Sequence, residues 1–312
     1  MKVKKVVFLL IWLLVGASTA LGAQYGFGYQ PSVGGAAAAV ADKLGFFAAE
    51  GLDLKIRIFA DGTLISEALA ANAIQFGVVG DLPTITLVSS GVPVKIIGTV
   101  GGGGSRQRLM VADPKITDIS DLRGERVGVT RGTSGFTAFQ YLCTQHQIPL
   151  TDFQIINISP PNMPEALSSG QVKAVLVWEP TPSLIEAAGV GRELLNLGQY
   201  ELTFPLTIIA RTSVIQKDRE TVCKILRSLA RAAEFIRTNP GQAAEVIAQV
   251  TGLDPEIALK SLGYHNIRVG WTEDVAHTLK YCAELLYREK QLRTIPDWNR
   301  VVDSSFCLEL GY

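Results

Sequence analysis

A chain of 312 residues, 47% hydrophobic and 19% charged, has room for one large or two medium domains and a sizeable core. Its 29 lysines and arginines balance 29 aspartates and glutamates, which argues against a nucleic acid or an anionic membrane surface as partner. Three histidines, and four cysteines without a CxxC spacing, argue against a metal site, and no cofactor is expected.

Lys2, Lys4 and Lys5 precede the apolar run Val6–Val15 and a small-residue stretch from Gly16 to Ala23. This is the pattern of a secretory signal peptide over residues 1–22, cleaved after Ala20 or Gly22. The apolar run is too short to span a membrane comfortably, and no second candidate follows. No cysteine stands near the cleavage site, so a soluble, exported, periplasmic protein without a lipid anchor is expected. Export permits disulfides, and Cys282 and Cys307 are the candidate pair.

Tyr25–Tyr29 reads as a strand running into Gln30-Pro31-Ser32-Val33-Gly34-Gly35, and a helix follows as far as Gly51. Leu54–Phe59 alternates as a strand and ends at Ala60-Asp61-Gly62-Thr63. A helix over Leu64–Ala71 leads to a strand at Ile74–Val79 and the loop Gly80-Asp81-Leu82-Pro83-Thr84. A third helix ends near Gly91, and Val94–Val100 is another strand. This alternation implies a mostly parallel sheet covered on both faces. In such sheets ligands gather at the carboxyl ends of the strands, where these loops lie.

Gly101-Gly102-Gly103-Gly104-Ser105 breaks the alternation. A dinucleotide fingerprint would need a helix next, whereas Leu109-Met110-Val111-Ala112 reads as a strand, so a flexible hinge or domain crossing is expected. Beyond it, Glu125–Thr130 is a buried strand that runs through Arg131-Gly132-Thr133-Ser134-Gly135 into a helix bearing Phe136, Phe139, Tyr141 and Leu142. Strand, small polar loop and helix start form an anion cradle. The helix start leaves N–H groups free, the glycines admit a ligand to the backbone, and Thr133 and Ser134 can cap and donate. The same residues also read as an ordinary strand-to-helix turn. A strand at Phe153–Ser159, a helix at Pro164–Ser169, a strand at Val172–Trp178 and a return strand at Pro205–Arg211 complete this unit. The rest is helical, with helices over Asp218–Arg237, from Pro255 after an Asp254 cap, and from Thr272.

The series Gly28-Tyr29-Gln30, Phe59-Ala60-Asp61-Gly62, Phe76–Pro83, Asp121-Leu122-Arg123-Gly124 with Val127-Gly128-Val129, Gly132-Thr133-Ser134, Ala166–Val172 and Trp178-Glu179-Pro180 resembles a known family. It is similar, in the same order and over nearly all of the chain beyond the signal, to the periplasmic solute-binding proteins of ABC importers for sulfonates, taurine and nitrate. The resemblance implies an α/β, two-lobed periplasmic-binding-protein fold of type II. Each lobe is then a mixed, mostly parallel sheet flanked by helices, closing on the ligand like a clam shell. Residues 23–103 and 204–312 would form lobe 1, and 104–203 lobe 2. The matching ligand positions are Gln30, Ser32, Asp61, Gly62, Asp81, Leu82, Thr133, Ser134, Trp178 and Glu179. The partners implied are a small organic anion and the permease and ATPase subunits of an importer, with the protein itself a monomer.

Helix starts from both lobes would then share the charge of the anion, and Trp178 would supply an apolar wall. Asp61 and Asp81 also read as plain helix caps, and Trp178 as a core aromatic. Glu179 suits a ligand that carries a cation as well, or it faces solvent. Arg106 and Arg108, beside the hinge, could grip an anion or form surface salt bridges. An aliphatic sulfonate or taurine-like compound is the first expectation, with nitrate or a pyrimidine-type organic as alternatives. Catalysis is not expected. Cys143 and His146 stand three apart on one helix, but a nucleophile inside a helix lacks an oxyanion hole.

Overall fold

The computed structural model describes residues 25–312, so the expected signal peptide lies outside the described residues. In chain order the first elements are β1 (Tyr25–Tyr29), α1 (Ala36–Lys43), α2 (Phe46–Ala49), β2 (Leu54–Ile58), α3 (Gly62–Ala70), β3 (Phe76–Gly80), α4 (Asp81–Ser89) and β4 (Val94–Gly101). Next come β5 (Gln107–Val111), β6 (Arg126–Val129), α5 (Ser134–Gln145), β7 (Gln154–Asn157), α6 (Met163–Ser168), β8 (Ala174–Trp178), α7 (Thr181–Ala187), β9 (Arg192–Asn196) and β10 (Leu206–Arg211). The C-terminal helices are α8 (Thr212–Lys217), α9 (Arg219–Thr238), α10 (Pro240–Thr251), α11 (Pro255–Leu262), α12 (Glu273–Arg288), α13 (Trp298–Val301) and α14 (Ser305–Glu309).

The strands form two five-stranded sheets of matching design, ordered β2-β1-β3-β10-β4 and β7-β6-β8-β5-β9. In the first, β1 pairs parallel with β2 and β3, while β10 runs antiparallel between β3 and β4. In the second, β6 pairs parallel with β7 and β8, while β5 runs antiparallel between β8 and β9. Each sheet is therefore mixed, with one strand reversed against the other four. The register brings the start of each reversed strand to the carboxyl edge of its neighbours: Leu206 lies opposite Gly80, and Gln107 opposite Trp178. Loops after strands and loops before reversed strands thus meet at one edge of each sheet.

Apolar side chains fill both faces of both sheets. The long helix α9 shows why its sequence is helical: Val222, Ile225, Leu229, Ala232 and Ile236 recur on one face and are buried. Asp218 accepts from the Thr221 N–H at its start, and the expected caps at Asp254 and Thr272 are also made. Each such cap contributes about 1 kcal/mol. The single helix expected from Ala36 to Gly51 is broken at Leu44-Gly45, which turns Phe46 and Phe47 into the core, Phe47 against Phe27.

The chain passes from the first sheet to the second through the glycine run, but that run is not slack. Gly102 and Asn266 exchange backbone hydrogen bonds of 3.0 and 2.9 Å, and the Gly103 N–H donates to the Thr203 carbonyl. Gly102 has φ of 157°, and a Cβ there would stand 2.7 Å from the Thr203 oxygen. Glycine is needed because outgoing chain, returning chain and the 264–267 segment pack backbone against backbone. The candidate pair Cys282 and Cys307 is not bridged: all four cysteines are free and buried. Cys282 lies in the core of α12, and Cys307 donates to the Ile97 carbonyl instead. Among the described residues, no helix is long and apolar enough to cross a membrane.

Candidate ligand-binding cleft

The carboxyl edges of the two sheets face each other across a cleft of about 720 Å³. Gln30, Ser32, Asp61, Gly62 and Asp81 line it from the first sheet. Arg106, at the crossing, and Thr133, Ser134 and Trp178, from the second sheet, line the other side. Leu82 and Glu179 do not reach it.

The cradle at the start of α5 is open. Thr133 is the N-cap, yet no side chain caps the helix. The Thr133 hydroxyl donates to the Thr130 carbonyl at 2.7 Å, so its proton is committed within the loop and cannot serve an anion. Ser134 differs. Its Oγ accepts from Gln107 Nε2 at 2.9 Å, which leaves its own proton to donate. The first backbone donor of the helix to find a carbonyl is Phe136, to Thr133 at 3.1 Å. Among the described residues nothing accepts from the N–H of Ser134 or Gly135. Gly132 turns the loop with φ of 74°, a left-handed conformation, and a Cβ there would meet nothing within 4 Å. A Cβ on Gly135 would come within 3.4 Å of the Trp178 ring, which places that ring as the wall beside the open helix end.

The first-sheet side combines the start of α1, which no side chain caps, with helix starts that carry acids. Asp61 accepts from the N–H groups of Thr63 and Leu64 at 2.8 and 3.0 Å, so the start of α3 is already capped by its own acid. Ser32 Oγ accepts from Gly35 N–H and keeps its proton free. Asp81, in the first turn of α4, is 1% exposed, and its Oδ2 has no hydrogen-bond partner. Burial pushes its carboxyl up to about 6, with the Arg106 guanidinium and the Leu82 N–H opposing. Arg106 is 4% exposed; Nη2 donates to the Phe204 carbonyl at 2.9 Å, and Nε has no partner. Each side therefore brings a helix start without a side-chain cap to the cleft, α5 from the second sheet and α1, behind Gly34 and Gly35, from the first, whereas α3 and α4 carry acids at theirs.

Two expected contacts are corrected. Leu82 points away from the cleft into the core with Ile65, Ile85 and Leu279, as the apolar face of α4 requires. Glu179 accepts from Arg108 at 2.7 Å and from Ser261 Oγ at 3.0 Å. Arg108 in turn binds Glu186 and Glu193, each at 2.5 Å, and lies 4.3 Å from the Tyr264 ring centre. Arg108 is thus neither an anion grip nor a surface residue, while Arg106 does line the cleft. Gln107, Thr251 and Leu253 were not legible as site residues: strand register sets Gln107 beside Ser134, and the end of α10, remote in sequence, brings Thr251 and Leu253 to the cleft. Cys143 and His146 form no pair. Burial pushes the Cys143 thiol up to about 12, and His146 Nε2 bonds the Tyr200 hydroxyl at 2.9 Å.

Residues 35–243 match the family profile described as NMT1/THI5 like. The chain belongs to the NMT1/THI5-like family. A protein of Brucella abortus (strain 2308), named as a binding protein, is 28% identical over 219 residues, 69% of this chain and 67% of its own. A Bacillus subtilis (strain 168) protein carrying the name of an aliphatic sulfonates-binding protein is 25% identical over 264 residues, covering 83% of this chain and 79% of its own. The crystal structure of the periplasmic aliphatic sulphonate binding protein SsuA from Escherichia coli superposes with a TM-score of 0.81 at 21% identity, over 90% of this chain and 92% of that one. That likeness is one of fold: this NMT1/THI5-like chain has the periplasmic-binding-protein architecture of two mixed sheets flanked by helices.

Proposed function

We propose that this protein captures a small organic anion, first an aliphatic sulfonate or taurine-like compound, in the cleft and delivers it to an ABC importer. It does so as an exported, periplasmic monomer that hands its ligand to the permease and ATPase subunits. Residues 23–103 with 204–312 form one lobe and 104–203 the other, and the lobes close on the ligand.

The observation that carries this reading is the uncapped start of α5. The N–H groups of Ser134 and Gly135 and the Ser134 hydroxyl proton are unspent, and buried Arg106 lines the same cleft. Such a helix end favours negative charge through both its dipole and its free donors. Trp178 and the methyl groups of the first wall suit the organic part. The volume, about 720 Å³, is that of a small-molecule site rather than of a bare nitrate. The name of the Bacillus subtilis relative supports the sulfonate class. Cys143, the candidate nucleophile, is buried away from this cleft as a neutral thiol, which supports binding rather than thiol chemistry.

A thermal-shift screen over sulfonates, taurine, nitrate, pyrimidines and simple carboxylates tests this. A ligand held only by the native state stabilises by about 2.7 kcal/mol at one hundred times its Kd. A rise with sulfonates is expected. A rise with pyrimidines alone contradicts the anion.

A further inference from the structure

The charges that line the cleft are sorted by side. Those from the first sheet are both acids, Asp61 and Asp81; those from the crossing and the second sheet are both bases, Arg106 and Arg131. Asp61 caps α3 at the exposed rim, whereas Asp81 is buried with one carboxylate oxygen unpartnered. A buried ionised oxygen without a donor is costly. Among the described residues, Arg106 is the cleft-lining cation whose charge acts on Asp81, and no salt bridge joins the two. A ligand anion that settles beside Arg106 takes up that positive charge. Asp81 is then left with less compensation than before, and the ligand itself must make up the difference.

Granting the anion cleft proposed above, on which this rests, we propose that the ligand is bipolar: an amine-bearing organic anion whose ammonium donates to Asp81 Oδ2 while its anionic head takes the Ser134 and Gly135 N–H groups of α5. The anionic end is held by the second sheet and the cationic end by the first, so one molecule ties the two sides together. Asp81 is the residue that sets specificity, because an alkyl chain in place of the amine leaves its oxygen buried and bare. Omega-amino sulfonates and omega-amino carboxylates meet this requirement; unsubstituted alkyl sulfonates do not.

The test is isothermal titration of the full chain at pH 7.5 with two matched pairs that differ only by amine against methyl. These are taurine with propane-1-sulfonate, and beta-alanine with butyrate. A hydrogen bond between charged groups makes the amine member bind at least about tenfold more tightly. Asp81→Asn, nearly isosteric, brings that ratio close to one. Taurine and propane-1-sulfonate binding equally well to the wild type overturns the bipolar ligand and leaves the anion cleft standing. Binding by none of the four, with the protein shown to be folded, overturns both. The wild-type comparison decides the matter even if the variant folds poorly, and an amine preference that survives in a folded Asp81→Asn removes Asp81 from the role.

Discussion

Arg108 and Glu179 form an ion pair of 2.7 Å in which neither side chain is more than 1% exposed. The pair holds Glu179 out of the cleft although Trp178 before it and Pro180 after it both line that cleft. Glu186, Glu193, Ser261 and the Tyr264 ring complete the cluster, and Lys260 bonds Glu186 at 2.7 Å, so α11 is fastened to α7. Removing one partner of a buried pair costs about 3–5 kcal/mol. Arg108→Met leaves buried Glu179 without a cation, takes one partner each from Glu186 and Glu193, and is expected to fall in that range by urea unfolding. Glu179→Gln strands less, since Arg108 keeps two glutamates, and costs less. Glu179→Gln is also expected to bind ligand as the wild type does; a large loss of affinity in a fully folded variant would return Glu179 to the binding site.

The two hydroxyls of the cradle are expected to separate. Ser134→Ala removes a free donor to the anion, a bond to a charged group of about 1.5–3 kcal/mol, so affinity falls by about tenfold or more. Thr133→Val removes a bond to the Thr130 carbonyl, costs about 1 kcal/mol of stability, and changes affinity little. Gly132→Ala is expected to cost about 1–2 kcal/mol through its left-handed φ rather than through a clash, since space around it is open. Titration and unfolding curves of the three variants check this, and equal affinity losses at 133 and 134 would contradict it.

Asp81 makes the ligand-free protein pH-sensitive in a definite direction. Its carboxyl is raised from 3.8 to about 6, so the folded state holds the proton more tightly than the unfolded chain. Its contribution is therefore most favourable below its ordinary value, declines as pH rises from about 4 to about 6, and is then constant. The charged and titratable groups that interact with it are Arg106 and the Cys282 thiol; His265, which also feels Arg106, is held down near 3 by burial and by that cation, and stays neutral. Asp81→Asn is expected to gain stability over the wild type progressively across pH 4 to 6. A gap that stays flat across that window would mean that Asp81 is not strained by burial.

All four thiols are buried and free, and burial raises Cys143, Cys282 and Cys307 well out of the reactive range. A thiol reagent is expected to label none of them in the native protein and all four in denaturant. Rapid native labelling of Cys143 that also blocks binding would revive the nucleophile reading.

Much of the fold was legible because it is local. β-branched runs such as Val127 and Val129, and stripes such as Val222, Ile225 and Leu229, name their elements without tertiary help. What could not be read depends on remote partners. The glycine run reads as slack, yet Asn266 and Thr203 hold it. Glu179 reads as a site acid, yet Arg108, some seventy residues earlier, takes it. Strand β9 has half-exposed residues and no clean alternation, and α10 begins at the proline that ends α9. At the site, residue type pointed to the right loops, but proton direction did not follow from type: Thr133 and Ser134 look alike in sequence and differ only in what Thr130 and Gln107 do to them.

The most direct measurement is of the amide protons of Ser134 and Gly135, followed by nuclear magnetic resonance as taurine is titrated into the labelled protein. If an anion docks on the open start of α5, both resonances move downfield, saturate together, and report the same Kd as calorimetry. Saturable binding that leaves these two amides unmoved would contradict the account, because the ligand would then be held elsewhere.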